Sequence, residues 1–211
     1  MRRPRFIAAQ ARHARGPLGR LIAFIMSRET WAENKRAIDA LSVEESDHVL
    51  DIGCGHGRSL AALAARAHQG HVAGVDPSEL MAGIAVQRNR ELVKARRVEV
   101  ATAGAERLPF ADAVFDNALC VHVVYFWDDL DAACREIARV LKPGGRLALV
   151  FKTKDDAAVR AFPADVYRFP SLADVHAALT GAGFAVDRTD ERGGGPMLLI
   201  AVKSRGHDLH E

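Results

Sequence analysis

Three glycines spaced two residues apart, Gly53, Gly55 and Gly57, follow an acid, Asp51, and the apolar residues Val49, Leu50 and Ile52. Glycines so placed remove the Cβ atoms that hold a ligand off the backbone. They also permit positive φ and leave N–H groups facing a gap where a helix begins. Binding of a polar ligand with a flat body is the chemistry expected there, with Cys54 in the same loop. A second acid, Asp76, closes the next apolar run, His71 to Val75, and is followed by Pro77 and Ser78. A carboxylate at a strand end can accept two hydrogen bonds from a ribose diol; its plainer role is to cap the helix that follows. His122 stands just past a third apolar run, and an imidazole with an ordinary pKa of about 6.5 suits a base that takes a proton from an acceptor. Tyr125 and Trp127 are placed to wall the same pocket, or simply to pack.

These residues need a scaffold that brings strand ends together. Residues 47 to 57 read as a buried strand entering a tight turn, and the amphipathic stretch from Arg58 to His68 reads as the helix after it. A right-handed β-α-β crossover would set His71 to Asp76 parallel to the first strand, with Asp76 beside the glycines. Further on, the pattern predicts a helix over 78–94 with Leu80, Met81, Ile84 and Val93 inward, then strands at 98–100 and 114–121. A helix over 128–141 should stop at Lys142-Pro143-Gly144-Gly145 before a strand at 146–151. Ser171 to Asp174 looks like a capping box opening a helix that ends at Gly181 and Gly183. The link Gly193 to Pro196 is too short for a helical crossover, so strands 184–188 and 197–203 should be antiparallel neighbours.

Ahead of this unit, Leu18, Leu21, Ile22 and Ile25, then Trp31, Ile38 and Leu41, recur at helical spacing. Residues 17–45 are therefore expected to form a helical cap on a single domain at 46–203, with a tail at 204–211. Residues 1–16 lack periodicity and are expected to be a disordered basic arm. The net charge is +2, yet residues 1–28 hold seven arginines and no acid, leaving the other 183 residues at −5. Such an arm can touch nucleic acid, anionic lipid or an acidic substrate, resembles a transit peptide in composition, and is most simply a frayed terminus. With 211 residues, 49% of them apolar, the chain can bury a full core without staples. Cys54, Cys120 and Cys134 lack C-x-x-C spacing, which argues against a disulfide framework or zinc site and fits a reducing cytoplasm. No apolar run approaches the length of a membrane span.

A dinucleotide fingerprint reads G-x-G-x-x-G, whereas this loop reads G-x-G-x-G after Asp51. That pattern, with Asp76 ending the next strand, resembles motif I and the following acid of the class I S-adenosylmethionine-dependent methyltransferases. The similarity covers about residues 40–203. It implies a doubly wound α/β fold: a seven-stranded, mostly parallel sheet with an antiparallel last strand, helices on both faces and an N-terminal helical cap. It also implies S-adenosylmethionine, and no metal, along Asp51, Gly53, Cys54, Gly55, Gly57, Asp76, Pro77, Gly104, Ala105, Glu106, Cys120 and Val121. Many members carry an acid where Gly104 stands; here Ala105 offers its backbone N–H and Glu106 follows. Trp31 and Asn34 become candidate lid residues, with Tyr125 and Trp127 toward the acceptor and His122 and Tyr125 as candidates for catalysis. No Asn/Asp-Pro-Pro-aromatic motif, Pro-Cys pair or carboxylate cluster follows the fourth strand. The resemblance therefore narrows to the small-molecule group related to ubiquinone and menaquinone methyltransferases, acting without specific nucleic acid as a cytoplasmic monomer or dimer. A nicotinamide-dependent oxidoreductase and a non-catalytic ligand-binding protein are the alternatives.

Overall fold

The computed structural model describes residues 4–12, 14–17, 19, 30–190 and 195–205. Seven strands form one sheet: β1 (His48–Ile52), β2 (His71–Asp76), β3 (Val98–Thr102), β4 (Phe115–Val121), β5 (Leu141–Phe151), β6 (Phe184–Asp190) and β7 (Met197–Lys203). Their order is β3-β2-β1-β4-β5-β7-β6, with β7 antiparallel to both neighbours and every other pairing parallel. This is the doubly wound sheet expected from the sequence. The helices are α1 (Arg5–Arg12), α2 (Trp31–Leu41), α3 (Arg58–Arg66), α4 (Glu79–Arg88), α5 (Arg90–Lys94), α6 (Leu130–Val140) and α7 (Leu172–Gly181).

The central strands are largely apolar because both sheet faces are covered there, whereas the edge strands β3 and β6 carry polar, exposed residues. Val49, Val72, Leu119, Ala148, Val150 and Ile200 pack with Ile38 and Leu41 of α2 and Leu60 and Leu63 of α3. Their sequence neighbours Leu50, Ala73, Ala118, Leu147, Leu149 and Leu199 point the other way, onto Ile137 of α6 and Val175 and Leu179 of α7. Alternation along each strand thus feeds two cores, one per face.

Register brings three strand ends level. Ile52 of β1 pairs with Val75 of β2 and with Cys120 of β4. The residues that follow, Gly53, Asp76 and Val121-His122, therefore emerge together. Strand order reverses at β1 and β4, which is where open α/β sheets gather ligands.

Two expectations change. Within the stretch expected to be a disordered arm, residues 5–12 form α1, whose Ala8 is fully buried in the core. The helix expected over 78–94 is interrupted at Asn89, whose Nδ2 donates to the carbonyls of Gly57 (2.8 Å) and Ala85 (2.9 Å). Asn89 leaves helical geometry to make these bonds, so α4 and α5 are separate. The Ser171/Asp174 capping box is present. Asp129 caps α6, accepting from the N–H of Ala132 at 2.9 Å, while β5 begins at Leu141 and bulges before Arg146. Trp31, Ile38 and Leu41 lie on α2, whereas the helix expected around Leu18, Leu21, Ile22 and Ile25 lies outside the described residues, as do residues 191–194 and 206–211.

Candidate active site

A cavity of about 280 Å³ opens at the carboxyl ends of β1, β2 and β4. Asp51, Gly53, Cys54, Gly55, Asp76, Pro77, Gly104, Ala105, Glu106, Val121, His122, Trp31, Asn34 and Trp127 all line it.

The loop after β1 is held from beneath. The N–H groups of Gly53 and Cys54 both donate to the Val75 carbonyl, at 2.8 and 2.9 Å. Asp76 then grips the loop and the next helix together: Oδ2 accepts from the N–H of Gly55 at 3.0 Å and Oδ1 from the N–H of Ser78 at 2.9 Å. Each oxygen keeps acceptor capacity for a ligand. Burial raises the pKa of Asp76, and the two N–H bonds hold the rise back. Asp51 lies deeper, accepting from the Ser59 hydroxyl. Burial, opposed by the Ser59 bond and reinforced by the charge of Asp76, lifts its pKa to about 7. His56 is also kept neutral, its pKa lowered to about 4 by burial and by the Arg88 charge.

The glycines serve different ends. A Cβ on Gly53 would lie 2.2 Å from Cγ1 of Val123, so that glycine admits a neighbouring side chain. Gly57 is a correction: it does not line the cavity, and a Cβ there would meet Ala85 at 2.7 Å and Asn89 at 2.8 Å. Gly55, at φ +54°, faces open space with nothing within 4 Å of a built Cβ. The left-handed backbone there favours glycine, and the space beside it is open to a ligand.

Two further assignments are corrected. Cys120 is fully buried in the sheet with its side chain in the core, because residues alternate along β4, and it does not line the cavity. Tyr125 does not wall the cavity either. It sits on a 3-10 turn, Val124–Phe126, buried against Phe169 with ring centroids 4.6 Å apart, and reaches the site through His122 and its edge contact with Phe126.

Glu106 does more than solvate. Its Oε1 accepts from the N–H of Asp128 at 2.9 Å, and its Oε2 lies 3.2 Å from where a Cβ on Gly104 would stand. A carboxylate thus occupies the place an acid at 104 would reach. Arg58 stacks its guanidinium 4.1 Å over the Trp31 ring.

Residues of the N-terminal arm complete the cavity. Gln10, Arg12 and Ala14 line it, Ser78 donates its hydroxyl to the Ala14 carbonyl at 2.8 Å, and Arg12 bonds Asp128 at 2.9 Å. The signal available in the sequence was the short amphipathic stretch Phe6-Ile7-Ala8-Ala9 among arginines, only eight residues of helix long.

Residues 50–149 match the family described as Methyltransferase domain. The chain carries a class I S-adenosylmethionine-dependent methyltransferase domain. This methyltransferase domain is 35% identical over 159 residues to O-methyltransferase cnsE of Penicillium expansum, covering 72% of this chain and 57% of that one. It is 39% identical over 111 residues to O-methyltransferase rstn1 of Aspergillus nomiae, covering 53% and 49%. The chain thus spans about half the length of the curated relatives it matches. Among solved structures it resembles the chain in complex with the Haloferax volcanii Trm112 methyltransferase activator. There the TM-score is 0.78 at 23% identity, over 94% of this chain and 97% of that one, a likeness of fold. Among the described residues of the methyltransferase domain, no helix is long and apolar enough to cross a membrane.

Proposed function

We propose that this protein transfers a methyl group from S-adenosylmethionine to a small-molecule acceptor. The observation that carries the reading is Gly55, open to a cavity whose other wall is the buried carboxylate of Asp76. The residues fit the cofactor: Asp76 offers acceptor capacity for a ribose diol, and Glu106 brings a carboxylate to the Gly104 face, where an exocyclic amine can donate. The Ala105 N–H is available to a ring nitrogen. When bound, the cofactor supplies an electrophilic methyl on a sulfonium sulfur. The protein's contribution is to hold the acceptor in line with that methyl in a dry pocket, and orientation of this kind removes a large part of a barrier without a covalent residue.

Trp31, Phe126 and Trp127, with the polar Asn34, Gln10 and Arg12 beside them, form the acceptor side, an aromatic surface with a polar rim suited to a quinone, lipid or other natural product. The O-methyltransferase relatives favour an oxygen acceptor. Cys54, Cys120 and Cys134 are free and buried, which suits a cytoplasmic setting, and no specific nucleic acid is needed. A thermal-shift screen of S-adenosylhomocysteine, NAD and NADP tests the reading. The homocysteine product should raise Tm by mass action, and stabilisation by NAD or NADP instead would favour the oxidoreductase.

A further inference from the structure

His122 is held in an unusual way. It adopts φ +58°, a left-handed conformation that non-glycine residues rarely take and that clusters where function requires it. Its backbone N–H donates to the Val150 carbonyl at 2.8 Å, which fixes the turn at the end of β4. Its ring stacks on Tyr125 at 30° between planes, with Nδ1 3.0 Å from the Tyr125 hydroxyl.

The direction of that bond follows from counting protons. The Lys152 backbone N–H can only donate, and it donates to the Tyr125 oxygen at 2.5 Å. The phenol has one proton of its own, and among its hydrogen-bond partners only Nδ1 of His122 can accept it. Were Nδ1 protonated instead, the phenol proton would be left without an acceptor among its hydrogen-bond partners in the described residues, at a cost characteristic of buried unpaired groups. Nδ1 is therefore the acceptor, and in the neutral ring the proton sits on Nε2. The ring is neutral because burial and the Lys152 charge lower its pKa to about 4. The charged groups around the pair are Lys152, Asp156 and Glu33; burial, Asp156, Tyr167 and Glu33 together hold the Tyr125 hydroxyl un-ionised. With Nδ1 turned to Tyr125 behind the wall, Nε2–H is the polar group His122 has left for the cavity it lines.

We propose that His122 acts as a hydrogen-bond donor to the methyl acceptor, with Tyr125 and the Lys152 backbone as positioning groups, and that the acceptor presents an ionised oxygen, a phenolate or enolate. This rests on the methyltransferase reading and replaces the role of base expected from the sequence. An imidazole whose basic nitrogen is spent on Tyr125 cannot take a proton from a neutral hydroxyl. An acceptor that arrives already ionised gives up no proton when methylated, so none is required.

The test uses the intact chain. Imidazole nitrogen shifts by NMR should show His122 as the Nε2–H tautomer in the wild type and a mixture of tautomers in Tyr125→Phe. An Nδ1–H tautomer in the wild type overturns the inference. At mildly alkaline pH, para-nitrophenol is ionised whereas phenol, like tyrosine with a pKa of about 10, is not. With S-adenosylhomocysteine present, the wild type should bind para-nitrophenolate about tenfold or more tighter than phenol, the fold-change of a charge-assisted hydrogen bond. His122→Ala should lose that preference, and His122→Gln, whose amide can donate, should keep part of it. Preference for phenol, or no binding of either at millimolar concentration, overturns the acceptor assignment. If S-adenosylhomocysteine itself fails to bind while the Nε2–H tautomer is seen, the methyltransferase reading fails and takes the donor role with it.

Discussion

The backbone N–H of Gly55 donates to Oδ2 of Asp76 across 3.0 Å, tying the loop after β1 to the end of β2 over 21 residues of sequence. One carboxylate therefore shapes the glycine loop and, in the proposed function, reads the ribose. Asp76→Ala should cost roughly 1.5 to 3 kcal/mol of S-adenosylhomocysteine affinity, the range for a hydrogen bond to a charged group. It should also lower Tm, because the N–H groups of Gly55 and Ser78 lose their partner. Calorimetric titration beside thermal melting separates the two. Unchanged affinity in a folded variant removes Asp76 from the ligand.

Gly53 and Gly55 should fail differently. Gly53→Ala drives a methyl group into Val123 and should destabilise by roughly 1 to 3 kcal/mol, as overpacked sites do. Gly55→Val, whose Cβ meets no atom within 4 Å, should strain the left-handed backbone and crowd the cavity, abolishing ligand binding while the circular dichroism spectrum is retained. Denaturant melts and titrations of both variants check this; a Gly55→Val protein that binds normally would contradict the proposed approach path.

Deleting residues 1–16 removes Gln10, Arg12 and Ala14 from the cavity wall and uncovers the core around Ala8. The truncated protein should fold, since the sheet and both its faces lie elsewhere, but release S-adenosylhomocysteine about tenfold or more faster. Arg12→Ala should show a smaller effect, because its partner Asp128 is largely exposed and solvent screens the pair. Stopped-flow dissociation rates decide, and a rate equal to the full chain's would return the arm to a passive role.

Asp51 should give stability a pH slope. Its folded pKa, about 7, lies above the ordinary value of 3.8. The folded state thus holds the proton more tightly, and the group imposes no penalty below the unfolded pKa. Between about pH 4 and 7 the unfolded state ionises first, so stability falls as pH rises, by an upper bound on the order of 4 kcal/mol. Asp51→Asn should flatten this slope in urea melts taken across the range. A slope identical to wild type would mean that Asp51 is ionised in the fold.

Much of this architecture was legible in the chain. The apolar central strands, the G-x-G-x-G loop, Asp76 and the antiparallel pairing of β6 with β7 depend on local spacing, and each is where the sequence placed it. What escaped depends on contacts between distant residues. Helix α1 is amphipathic but only eight residues long, with a single fully buried side chain, Ala8, and Arg12 tied to Asp128, so its short apolar stripe hides among arginines. Asn89 breaks a good helical pattern for the sake of a carbonyl 32 residues away. Tyr125 and Cys120 sit near the site in sequence, yet one supports His122 from behind and the other faces the core. Glu106 reaches the Gly104 face only because the N–H of Asp128 orients it.

Calorimetric titration of the intact chain with S-adenosylhomocysteine, repeated in the presence of excess NAD, addresses the proposed activity most directly. One molecule should bind per chain with micromolar affinity, a free energy of about −8 kcal/mol, undisturbed by NAD and lost in Gly55→Val. Binding of NAD in preference to S-adenosylhomocysteine, or S-adenosylhomocysteine binding that survives Gly55→Val, would contradict a methyl-donor site at the ends of β1 and β2.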